Sequence, residues 1–329
     1  MLKKLTNIQG ITAALVLLAS LIFFAAFSVQ YSYADRDKFI VRDAVITIDG
    51  KNISGKLPFS KSNLPHGTEV TISFETPAKN GKHLFFGSVY APLQIYANGE
   101  KIYEYGQNGT YPPFMHDPPT QYDSVILPDN EETVHIKMVY HSPNERDTLS
   151  VHEPIIGTSG AIFRHLLDKY GITLVWSLFF IIWGMALAIM SAAFRKTGNL
   201  GRALLFPGMF AMFAGMWQFG ENTLSVYILQ NPVFLYFVDF LGLFLLMIPL
   251  YATAIFYLNK KGNILLESVL FIIEMADIAA VILQITGIKS FHSILFVFHI
   301  LLPSAMILLF GFSLYEVIRY KSGKAAVCI

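Results

Sequence analysis

Two regimes of hydrophobic patterning divide the chain. Between Ala44 and Pro154, apolar and polar residues alternate in short stretches: "AVITIDGK" (44–51), "EVTISFE" (69–75), "HLFFGSVY" (83–90), "LQIYANGEKIYEYG" (93–106), "SVILP" (124–128), "TVHIKMVYH" (133–141) and "TLSVHEP" (148–154). A period of two is that of a half-buried strand. Gly, Pro and Asn separate the stretches, and Asn98-Gly99 between two alternating arms is a strong hairpin signal. With no helical pattern among them, these stretches predict an antiparallel β-sandwich. Elsewhere the alternation gives way to long apolar runs at Ile8–Tyr31, Ile172–Phe194, Ala203–Phe219, Val233–Leu258, Leu265–Ile285 and Ser293–Ile318. Each is long enough to cross the bilayer as a helix, which takes about 20 residues.

Composition agrees. Of 329 residues 54% are hydrophobic and only 14% charged, too apolar for an ordinary soluble protein. A net charge of +1 gives no electrostatic case for a nucleic-acid partner. The region 35–168 holds 12 basic and 17 acidic side chains, a net −5. The single cysteine, Cys328, excludes a disulfide or a Cys-ligated metal there. Short basic stretches (Lys3/Lys4, Arg195/Lys196/Arg202, Lys260/Lys261, Arg319/Lys321/Lys324) fall between alternate runs, while the opposite loops carry only Lys289. By the positive-inside rule both termini are then cytoplasmic and residues 35–165 lie outside. The expected organisation is a membrane anchor or signal peptide at 1–34, the β-sandwich at 35–165, five spans within 166–320 and a short tail at 321–329. Ser32-Tyr33-Ala34 is a tolerable cleavage site, but the long apolar core before it favours an uncleaved anchor.

No set of side chains has the spacing of a metal site or a nucleophile elbow, so neither a metal nor another cofactor is expected. The long, Pro-rich and aromatic loop "YGQNGTYPPFMHDPPTQY" (105–122) is the expected place for an extracellular small molecule or carbohydrate. Its candidate contacts are Tyr105, Tyr111, Phe114, His116 and Asp117. Within the spans, helical phasing joins Glu267, Glu274, Asp277 and Gln284 in one polar stripe, with Ile273 and Ala280 on the other side. A charge at mid-membrane costs about 2.5–3.5 kcal/mol and so faces protein or a partner. Counting from the outer turn at about 1.5 Å per residue puts Asp277 level with His299, so Asp277 or Glu274 is expected to approach it. Asp239 is a further polar candidate. The stripe reads first as interhelical glue, then as a switching element, and last as a proton path.

The "IYANGEKIYEYG" hairpin, the "IGTSGAIFRHL" exit and the "LLESVLFIIEMADIAAVILQITGI" helix followed by "FHSILFVFHILL" resemble a bacterial family. These are the seven-transmembrane receptors with diverse intracellular signalling modules, above all those carrying a diguanylate cyclase (GGDEF) output domain. The resemblance implies a galactose-binding-like jelly roll outside, a signalling bundle in the plasma membrane, and a homodimer. It also implies two further spans and an output domain beyond the five spans counted here; no Gly-Gly-Asp/Glu-Glu-Phe signature occurs in the sequence. A small-solute transporter or channel and a tethered carbohydrate-binding module are the alternatives.

Overall fold

The computed structural model of the protein describes residues 38–77, 82–128, 132–146, 148–194, 199–258 and 263–320. The first apolar run, Cys328 and most of the basic stretches lie outside the described residues.

Among the described residues twelve strands precede the helices: β1 (Lys38–Ile40), β2 (Asp43–Ile48), β3 (Lys51–Lys56), β4 (Phe59–Ser62), β5 (Glu69–Pro77), β6 (Lys82–Ser88), β7 (Leu93–Ala97), β8 (Glu100–Tyr105), β9 (Gln121–Ile126), β10 (Thr133–His141), β11 (Thr148–Val151) and β12 (Ile155–Thr158). They form a six-stranded sheet ordered β3-β2-β5-β10-β7-β8, a four-stranded sheet ordered β1-β12-β6-β9, and a β4-β11 ribbon. All pairings are antiparallel. The predicted Asn98-Gly99 turn joins β7 to β8, with φ of 50° and 86°. Asp49-Gly50, at 47° and 76°, makes a second such turn between β2 and β3. Both residues of the pair must take positive φ there, which Asn or Asp followed by Gly does at little cost.

One core fills the space between the two larger sheets. Ile46, Ile72, Ile95, Ile136 and Tyr140 enter it from the six-stranded sheet, and Leu84, Phe86 and Ile156 from the four-stranded one. Each such aliphatic side chain contributes roughly 1.5–3 kcal/mol on burial. The four-stranded sheet is buried on its other face as well. There Phe85, Tyr122 and Ile155 pack against Ile162, Leu166, Leu224, Val226 and Leu235 of the helices. This is why "HLFFGS" reads as an apolar run rather than a clean alternation.

The helices are α1 (Ser159–Ala193), α2 (Asn199–Glu221), α3 (Thr223–Leu229), α4 (Pro232–Leu245), α5 (Met247–Tyr257), α6 (Ile264–Ile285) and α7 (Phe291–Tyr320). Five segments among the described residues are long and apolar enough to cross a membrane: α1, α2, α4–α5 together, α6 and α7. At 35 residues, α1 is about 50 Å long and exceeds the roughly 30 Å hydrocarbon core. Its first turns, capped by the Thr158 hydroxyl, carry Ile162 and Leu166 and belong to the sheet contact. β12 ends at Thr158 and α1 begins at Ser159, with no residue between them.

Small residues let α1 and α2 approach closely. A Cβ on Gly184 would fall 2.5 Å from both the Gly208 carbonyl oxygen and the Met212 amide nitrogen, and one on Gly215 only 2.7 Å from the Ser177 carbonyl oxygen. This is membrane-type packing by small residues. Between α4 and α5 the chain keeps helical dihedrals at Leu246 (φ −57°, ψ −37°). What is lost is a hydrogen bond: Pro249 has no N–H to offer the Leu245 carbonyl four residues earlier.

Candidate functional site

The loop after β8 is held by its own bonds before it touches anything else. The Tyr105 hydroxyl donates to the Pro119 carbonyl (2.8 Å), the Thr110 hydroxyl to Gln107 O (2.7 Å), and the Met115 amide to Pro112 O (2.9 Å). Its tip then seats on the turn between α6 and α7. Met115 is buried among Tyr236, Phe240 and Phe291, with Tyr111 and Phe114 packed at the edge of the same cluster. The Phe114 ring meets Phe237 edge-on at 6.1 Å. Gly287 has φ +68°, and a side chain there would sit 3.3 Å from the Phe114 Cα.

Gln284 ties this seat together. Its amide donates to the Phe114 carbonyl (3.3 Å), while its side-chain oxygen accepts from the Tyr236 hydroxyl (2.8 Å) and the Phe291 amide (2.7 Å). A second polypeptide segment clamps the same turn. Asp117 accepts hydrogen bonds from the Asn144 (2.6 Å) and Glu145 (2.9 Å) amides. Glu145 in turn meets His116 Nδ1 at 2.6 Å and accepts from the Ser290 amide at 3.2 Å, just before α7 begins. A carboxylate there also suits the positive end of the α7 dipole. Tyr90 packs on His292, ring centroids 5.0 Å apart, beneath the Arg146 guanidinium. A cavity of about 10 Å³ remains between Tyr90, Met115, His116, Tyr236, Ser290 and His292, room for a single water.

Beside this seat, the outer face of the four-stranded sheet meets α3. Gln121 donates to Gln230 (3.0 Å), the Ser124 and Tyr227 hydroxyls lie 3.1 Å apart, and Tyr122 meets His152 at 3.2 Å. Burial pushes the Tyr122 phenol up to about 12 and the Tyr90 phenol well above its ordinary range. Burial, aided by Lys169 and Arg146, holds the His152 imidazole below its ordinary value. Asp117 is raised by burial against the opposing pull of its amide donors.

Of the loop residues singled out by sequence, all five are thus drawn into the loop's own structure or its seat. The polar stripe divides. Gln284 and Asp277 are buried on α6 together with Leu266, Ile273 and Ala280. Spacings of three and four residues keep 273, 277, 280 and 284 on one side, so Ile273 and Ala280 share the buried face rather than oppose it. Glu274 is half-buried and Glu267 exposed. Asp239 on α4 backs onto Gly220, where a Cβ would come within 2.6 Å of it. His299 is exposed on α7, and no hydrogen bond or ion pair joins it to Asp277, whose two carboxylate oxygens are buried without a partner among the described residues. Depth sets height along a helix, not the direction a residue faces. Asn144, Glu145 and Ser290 escaped sequence reasoning because each bonds to a segment remote in the chain.

No protein-family model and no curated protein matches the chain. Solved structures with some similarity include the β-glucosidase of Kluyveromyces marxianus in complex with glucose, at 14% identity and a TM-score of 0.26, covering 39% of this chain. A GH31 α-xylosidase from Xanthomonas citri matches at 13% identity and a TM-score of 0.19, over 41% of this chain. The chain spans 18% and 19% of the length of these two enzymes.

Proposed function

We propose that the protein is the sensing part of a membrane-bound bacterial signal-transduction receptor, of the kind that drives a diguanylate cyclase. Residues 35–165 lie outside the cell and take a small molecule or carbohydrate, both termini are cytoplasmic, and the receptor works as a homodimer. The observation that supports this reading is the double seat of the β domain on the bundle. The 105–122 loop and Glu145 grip the α6–α7 turn, while the four-stranded sheet lies against α1 and α3. A displacement of the sheets therefore has rigid elements to act on. A ligand shifts such a bundle only by binding one arrangement better than another.

The test uses the full chain in lipid nanodiscs and hydrogen–deuterium exchange. Glu145→Ala removes the carboxylate from the Ser290 amide. A coupled bundle loses protection at the far ends of α6 and α7 as well as at the turn. Changes confined to residues 284–292 mean a passive tether and defeat the reading.

A further inference from the structure

Asp277 is 4% exposed, and among the described residues neither carboxylate oxygen has a hydrogen-bond partner. The neighbouring titratable groups do not supply one. Glu274, on the same helix, is the acid that acts on it electrostatically. On α5, the Tyr251 hydroxyl is engaged by the Ala305 carbonyl and Tyr257 is exposed. His299 on α7 is exposed. An ionised carboxylate left alone at membrane depth is costly, and such acids mark functional sites more often than packing accidents.

A second feature lies at the same height. Ile273, one turn before Asp277, packs in the cluster of Met247 and Tyr251; Ala280, one turn after, packs in that of Phe240 and Phe244. Asp277 is therefore level with Leu245–Leu246, where α4 gives way to α5.

We propose that Asp277 is a reversible proton-binding site inside the bundle. One proton joins one carboxylate oxygen to give the neutral acid, and no bond other than O–H forms or breaks. The site does not depend on the sensor reading, since it needs neither an outside ligand nor an output domain.

The experiment is infrared difference spectroscopy on the full chain in liposomes, stepped between about pH 5 and pH 9. The expected result is a neutral-carboxyl band whose intensity changes with pH, is missing in Asp277→Asn, and persists in Glu274→Gln. Circular dichroism of each variant establishes that the helices are intact. Identical difference spectra for the wild type and Asp277→Asn overturn the proposal, as does a band lost only in Glu274→Gln. A melting temperature raised by sodium over choline in the wild type, and not in Asp277→Asn, makes the occupant a metal cation and also overturns it.

Discussion

His152 shows how one side chain ties the junction to pH. It packs against Tyr122 under the sheet, and burial, with Lys169 and Arg146, depresses its proton affinity. The unfolded chain protonates this imidazole near pH 6.5, the folded chain only at lower pH. Its contribution to stability is therefore whole above about pH 6.5 and declines as the pH falls below it. Thermal melts of the full chain in detergent between about pH 7.5 and pH 5.5 are expected to show a falling midpoint. In His152→Gln that part of the fall is absent. An unchanged slope in the variant assigns the effect to other groups.

At the scale of elements, backbone contact outweighs helix propensity along the α1–α2 seam. Gly184→Ala gains about 1 kcal/mol of helix propensity. It also places a methyl 2.5 Å from two backbone atoms of α2, and overpacking of that kind costs about 1–3 kcal/mol. The net expectation is a lower melting temperature, whereas Gly311→Ala, with nothing within 4 Å, leaves it unchanged or higher. Equal effects of the two substitutions dispose of the seam. Such elements were largely legible in the sequence, because a period of two and long apolar runs each report a local property. The five spans and the Asn98-Gly99 hairpin follow from that. The burial of Phe85 and Tyr122 on the outer face did not, because it depends on which element covers the sheet. The Gln284–Phe114 bond was illegible for a stronger reason: it links positions 170 residues apart. Asp277 was singled out by helical phase and depth, but neither shows which way α7 turns His299, which is exposed.

For the whole molecule, the turns 286–290 and 222–231 both meet the β domain. In the proposed topology those turns face outwards and the C-terminus is cytoplasmic. Cys328 gives a direct check, being the only thiol. In intact cells a membrane-impermeant maleimide is expected to spare Cys328 and to label a cysteine placed at Asn52, an exposed position in β3. Labelling of Cys328 without permeabilisation reverses the orientation. The join between Thr158 and Ser159 bears on the same coupling. With no spare residue, the sheet has no swivel there: its bearing on α1 is set by the phase of that helix. One inserted residue turns α1 by about 100° and carries Ile162 and Leu166 off the sheet. Chain length at that point is therefore as much a part of the seat as any side chain, and a single codon gained or lost there shifts the sheet off α1 while leaving both halves folded.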